Sequence, residues 1–309
     1  MSINQLTIKK KVEIEGLGLH SGLPVNLKIF PAAKDTGICF IRTDLKKSKP
    51  IYANWKNISP ANLCTKICND DGQSISTIEH LMFSFYALKI TNLIIEINGP
   101  EVPIMDGSAK IFIDEIFTAG LIEQNKKINY INILKSFEIN NSNKYIKYEP
   151  TNNNVLEVNY QLDYKDQLIK KQNFKLKNAQ KNYSEVSSCR TFCHQEDLEK
   201  IFAMGLAKGG SLENAIVISG NKVLNQEGLR CKDEFVRHKI LDFLGDFYLS
   251  GFFISGKITC RQGGHELTAA LLKKIFQNNE NFYTYSENNS INQVSKKNPL
   301  NISKIQAIV

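Results

Sequence analysis

From residue 5 to about residue 55 apolar and polar positions alternate, interrupted by the turn-forming sequences "GLGLHSG" (16–22) and "KDTG" (34–37), so this stretch predicts antiparallel strands. "STIEHLMFSFYALK" (76–89) predicts a helix that opens at Ser76, and "TNLIIEING" (91–99) a buried strand. Pro100, Pro103 and Gly107 punctuate a rigid turn before another helix, and polar "EQNKKIN" (123–129) reads as a linker. The order of elements then recurs. Strands run from Ile131 to about Lys177, followed by irregular "CRTFCHQEDLEKIFAMG" (189–205), a glycine-rich turn at Gly209 and Gly210, and a hairpin in "AIVISGNKVLN" (215–225). A helix around Phe235, the strand "GKITC" (256–260), the turn "RQGG" and a last helix "HELTAALLKKIF" (265–276) complete it. No sequence repeat is visible, but strands followed by helices in each half predict an α+β fold of two domains. The expected bounds are 1–126 and 127–285, with a polar tail over 286–309.

The helix "DEFVRHKILDFLGDF" (233–247) is amphipathic at about 100° per residue. Val236, Ile240, Phe243, Leu244 and Phe247 share one side, and His238, Lys239, Asp242 and Asp246 the other. A polar stripe of this kind is what a helix ordinarily presents to water. Two features favour an enclosed face instead. Phe235 falls among the polar residues, and His238 and Asp242 stand at i and i+4, side by side on successive turns, where both can reach one metal ion. A third ligand must then come from elsewhere in the chain.

Length and composition narrow the setting. A chain of 309 residues, 23% charged and 42% hydrophobic, is globular and long enough for two cores. No stretch approaches the roughly 18 uninterrupted apolar residues of a membrane helix. The N-terminus alternates like a strand and lacks the apolar centre of a signal peptide, so the cytoplasm is the expected address. Seven scattered cysteines fit a reducing compartment better than a disulfide framework. Cys64 and Cys68, like Cys189 and Cys193, are spaced CxxxC, which leaves a four-cysteine zinc site or packed, inert thiols as readings. The net charge of +8 suits an anionic substrate or a nucleic acid. Only five of the 39 basic residues are arginine, the side chain whose planar fork reads phosphate and guanine, which counts against a nucleic-acid partner.

The chain has five histidines, at 20, 80, 194, 238 and 265. Glu79 precedes His80 and follows Ser76 by three residues, the spacing of a capping box, so Glu79 reads both as a helix cap and as a base beside a ligand. His265 follows Gly263 and Gly264 at a helix start, where a lone histidine is ordinarily a turn residue or a cap. Taken together these residues form the parts of a zinc hydrolase: two His and one Asp as ligands, a carboxylate beside a ligand, and a further His beside an Asp. Zinc with three protein ligands and an open position lowers the pKa of bound water to about 7.

"GLGLHSG", "STIEHLMFSFYALKITNLIIEINGPEVPIMDGSA", "CRTF", "LAKGGSLENAIV", "VLNQEGLRCKDEFVRHKILDFLGD" and "GGHEL", in this order, resemble the UDP-3-O-acyl-N-acetylglucosamine deacetylases of lipid A biosynthesis. The resemblance runs from about residue 6 to 276. It implies two domains of similar sheet-and-helix sandwich form, each with a small insert and the active site between them. It also implies a cytoplasmic, monomeric zinc amidase whose partner is a small molecule, an acylated UDP-sugar, with no nucleic acid and no stable membrane insertion. Acetate and the free amine would be the products.

By motif, the resemblance makes His80, His238 and Asp242 the zinc ligands, although ferrous iron suits the same set. Glu79 would be the general base and His265 the general acid, kept oriented and cationic by Asp246. Thr191 would hydrogen-bond the oxyanion, and Lys239 would face the oxyanion or the diphosphate. Phe192 and the 193–220 insert would border the acyl passage, and Tyr160 would stack on uracil. Cys189 and Cys193 stand where the family commonly has small residues, and 140–180 matches poorly, so acyl length and nucleotide contacts stay open.

Overall fold

A computed structural model describes residues 4–165 and 168–285, and the tail expected at 286–309 lies outside the described residues. The chain is α+β, with five α-helices among the described residues. In the first half, strands 12–17, 24–31, 93–97, 38–42 and 51–52 lie side by side in that order. In the second half, strands 137–141, 144–149, 256–261, 156–163 and 171–176 do the same. Numbered along the chain, both sheets have the order 1-2-5-3-4. In both, the fifth strand runs parallel to the third while the other neighbours are antiparallel.

The elements between the fourth and fifth strands match too. Each half inserts a small three-stranded sheet, at 58–76 and at 192–223, and then a helix. These helices are α1 (Glu79–Ala87) in the first half and, after the short α3 (Leu198–Ala203) of the second insert, α4 (Glu234–Phe247) in the second. After the fifth strand come α2 (Lys110–Ala119) and α5 (His265–Phe276). Strands Asn4–Ile8 and Leu121–Lys127 pair and tie the ends of the first half together. Tyr130–Ile133, beside Phe253–Ile254 and Phe282–Tyr285, does so for the second.

Period-two patterning puts one side of each sheet in the core. Val25, Leu27 and Ile29 point inward from one strand, and Leu156, Val158, Tyr160 and Leu162 from another. Helix α1 is buried along all nine residues, as a helix packed on more than one side must be. It crosses α4 at Gly245, where a Cβ would lie 2.0 Å from the Glu79 carbonyl oxygen. Only glycine allows backbones this close.

Three expectations change. "EQNKKIN" is not a linker: it belongs to the strand Leu121–Lys127, and its polar residues find partners there, Gln124 accepting from Asn92 Nδ2 at 2.7 Å and donating to Ala32 O at 2.8 Å. The first helix does not open at Ser76. Ser76 ends a strand, its N–H bonds Pro100 O, and Thr77 takes a left-handed φ of 57°, so α1 begins at Glu79 with no side-chain cap. The capping box is therefore absent. The strand Leu93–Ile97 is buried on one face only, with Ile94 exposed on the other.

Candidate metal centre

The crossing of α1 and α4 brings His80 beside His238 and Asp242. Nε2 of His80 lies 3.4 Å from Asp242 Oδ1, and Nε2 of His238 lies 3.2 Å from the same oxygen. Two donors bound about 2.0–2.1 Å from one tetrahedral ion lie roughly 3.3 Å apart, so these spacings suit a single metal. All three side chains are buried, and they form the His, Cys, Asp or Glu cluster of metal-binding geometry among the described residues. Asp242 Oδ1 is buried without a hydrogen-bond partner, and a cation coordinated between the three groups would satisfy its lone pair instead. His238 Nδ1 donates to Cys189 O at 3.0 Å, which fixes the tautomer and leaves the Nε2 lone pair toward the cluster.

The electrostatics agree with this donor set. Burial, opposed by Asp242, lowers the His238 pKa to about 3, so the ring is neutral and able to ligate at pH 7. Burial alone would raise Asp242, but His238, Lys239 and His80 together hold its carboxyl well below the usual carboxylate range. Lys239 Nζ donates to Asp242 Oδ2 at 2.9 Å and lies 5.6 Å from the centre of the Phe192 ring. The polar stripe of α4 is thus enclosed: His238, Asp242 and Asp246 are all buried, and Phe235 among them is fully so.

A second group adjoins the first. His265, at the start of α5, places Nδ1 2.7 Å from Asp246 Oδ2 and Nε2 3.8 Å from Glu79 Oε1. Burial would lower this imidazole, but the carboxylates of Asp246 and Glu79 outweigh it and raise its pKa to about 9. Burial raises the Glu79 carboxyl above its ordinary value against the pull of His265 and His80, a shift in the direction a general base at neutral pH needs. Glu79 Oε2 accepts from Thr65 N at 3.1 Å, not from Ser76.

The "CRTF" segment is fixed to the start of α4 by a buried ion pair. Arg190 Nε and N both donate to Glu234 Oε1, at 2.9 and 3.0 Å. This anchor sets Cys189 O on His238 and Phe192 edge-on to Phe235 at 4.9 Å and to His238 at 6.3 Å. Thr191, between them, is half-buried and donates its N–H to Gly107 O.

Tyr160 does not join the site as a stacking surface. Its inward position on the strand Leu156–Asp163 leaves it 2% exposed, with no free ring face for a base. The cysteines do not gather either: Cys189 and Cys231 approach to 3.9 Å between sulfurs, and burial pushes the Cys64 thiol up to about 12 and raises Cys189 as well. Buried, protonated thiols are poor ligands. Sequence reasoning missed Thr65, Gly245 and the Cys189 carbonyl. None carries a motif signal, since each acts through a backbone group or a contact between distant segments.

Residues 5–277 match the family model described as UDP-3-O-acyl N-acetylglycosamine deacetylase. Among similar curated proteins, the UDP-3-O-acyl-N-acetylglucosamine deacetylase of Haemophilus ducreyi is 41% identical over 279 residues, 89% of this chain and 91% of that protein. The protein of the same name from Mannheimia succiniciproducens is 39% identical over 298 residues, 94% of this chain and 96% of its own length.

Proposed function

The chain belongs to the UDP-3-O-acyl N-acetylglycosamine deacetylase family and is a metal-dependent hydrolase that removes the N-acetyl group of UDP-3-O-acyl-N-acetylglucosamine in lipid A biosynthesis; from this premise we propose how its residues divide the work. His80, His238 and Asp242 hold the ion, Zn2+ by donor type, with Fe2+ the alternative the same donors accept. When bound, such an ion polarises the acetyl carbonyl and makes a water in its open position more acidic.

Glu79 takes the proton of the attacking water through Oε1, the oxygen that faces His265. The Thr191 hydroxyl bonds the developing oxyanion. His265 gives the Nε2 proton to the departing amine, with its Nδ1–H held by Asp246. The observation that carries this assignment is the pairing of a buried carboxylate and a cationic imidazole 3.8 Å apart beside the triad: one can accept a proton and the other can donate one, as the two opposite transfers require. Lys239 offsets the charge of Asp242 and faces the substrate's anionic groups. Phe192 and the 193–220 insert border the acyl chain, a role supported by apolar Phe202, Met204 and Leu212, which stand exposed on that insert.

None of the described helices is long and apolar enough to cross a membrane. We place the enzyme in the cytoplasm as a monomer, with a small-molecule partner and no nucleic acid, and divide it near residue 126, where the strand pair that closes the first half ends.

Glu79→Gln tests the central step. Gln still accepts from Thr65 N–H but cannot take a proton. The variant is expected to keep its fold and metal and to lose roughly 10²- to 10⁴-fold in acetate release. Parental turnover in this variant would move the base elsewhere. Chelation should abolish activity, and added Zn2+ or Fe2+ should restore it, the better ion identifying the metal.

A further inference from the structure

Thr65 lies in the first insert, between the strands Ile58–Ser59 and Lys66–Cys68, and is buried at 4% exposure. Its hydroxyl donates to Asp246 Oδ1 at 2.5 Å and lies 3.0 Å from His265 Nδ1. Its backbone N–H donates to Glu79 Oε2. One residue of the first half therefore touches both members of the proposed proton-transfer pair, Glu79 and His265, and also Asp246; the last two stand on helices of the second half. The segment leading to this insert is also docked on α5, where Trp55 stacks on Phe276 at 5.9 Å.

The hydrogen positions follow from the inventory of donors. An ionised carboxylate only accepts, so the Thr65 hydroxyl hydrogen points at Asp246. The hydroxyl oxygen then has lone pairs left for His265, and Nδ1 faces both this oxygen and Asp246 Oδ2 at 2.7 Å. Nδ1 must carry a hydrogen to satisfy both. A ring flip would set a C–H against two acceptors, so the ring stays with Nε2 toward Glu79.

Resting on the acid role of His265 given above, we propose that Thr65 is a positioning residue: its hydroxyl, bridging Asp246 and His265, locks the imidazole with Nε2 facing the reacting amide, while its N–H aims the Glu79 carboxylate. Thr65→Val keeps shape and N–H but removes the bridge, and Thr65→Ser keeps the bridge without the methyl group. Acetate release from UDP-3-O-acyl-N-acetylglucosamine is measured for both and for His265→Ala, with metal content and Tm.

Thr65→Val is expected to keep its fold, metal and KM, with a modest fall in Tm because Asp246 Oδ1 loses its donor, while kcat falls roughly 10- to 100-fold, the cost of a misplaced proton donor. Thr65→Ser should recover most of that loss. Parental kcat in Thr65→Val overturns the proposal, as does an equal fall in Thr65→Ser, which assigns the loss to packing, or loss of metal in Thr65→Val. If His265→Ala is slow while Thr65→Val is not, only the role of Thr65 fails. Parental turnover in His265→Ala removes the acid role itself, and this inference with it.

Discussion

The two halves share strand order, strand directions, an insert and a helix in the same place, yet α1 and α4 use that place differently. Helix α1 is apolar almost throughout and offers the site only its first turn, Glu79 and His80. Helix α4 offers a stripe along its length, His238, Asp242 and Asp246, and buries it. A duplicated scaffold thus supports one unsymmetrical site. The helix that carries more charge needs more partners: it takes Cys189 O, Thr65 and His265 from outside and Lys239 from its own next turn. Buried polar groups without such partners are costly.

The sharpest way to break this contrast is to remove ligands from each half separately. His80→Ala, His238→Ala and Asp242→Ala should each lose metal and essentially all turnover, because an ion with three protein ligands does not survive the loss of one. Metal analysis of the purified variants checks it. Retention in His80→Ala alone would assign the ion to the second half.

Next in size is the contact that joins the halves. In Gly245→Ala the new methyl group meets the Glu79 carbonyl, backbone that cannot turn aside. The helices must separate, costing about 1–3 kcal/mol or more, and metal content and kcat should fall together. A parental Tm with parental activity would mean that α1 and α4 need not touch so closely.

A smaller change isolates the proposed acid. The charged form of His265 is favoured by folding, since its pKa rises from 6.5 to about 9. That stabilisation is complete below about 6.5 and is lost as pH climbs through about 9, and the alkaline limb of activity should follow the same titration. Asp246→Asn removes the larger of the two attractions, so the limb should move to lower pH. The variant's Tm deficit should be greatest in acid and shrink above pH 9. An unmoved limb would take Asp246 out of this role.

The smallest effect concerns the start of α1. With no capping box, Ser76→Ala loses one hydrogen bond, from its hydroxyl to Pro100 O at 3.2 Å. It should cost about 0.5–1.5 kcal/mol and leave kcat and metal unchanged. A fall in kcat would mean that the α1 terminus is held through Ser76 after all.

Much of this was legible in the chain. The phase of "VRHKILDF" put His238 and Asp242 on one face because residues four apart on a helix are neighbours whatever surrounds them. The same holds for the α+β class, for the last helix at His265, and for the inward side of each strand, all set by local periodicity. The misread elements were those where local pattern and tertiary partner compete. "EQNKKIN" is polar enough for a linker, but Asn4–Ile8 offers it a ladder and Ala32 and Asn92 satisfy Gln124. "STIE" spells a cap, but Pro100 draws Ser76 into a strand first.

The identity of the second histidine's neighbour, the depth of the stripe and the grip of Thr65 were decided only by folding. They depend on which surface of α1 meets α4, and that depends on one missing methyl group at Gly245, 166 positions from Glu79 along the chain. The sequence by itself determined the residues and the faces they occupy, since sterics within a few residues set them. Only the tertiary structure decided which faces meet and which polar atoms stay dry, because close packing and the satisfaction of buried polar groups are properties of the assembled core.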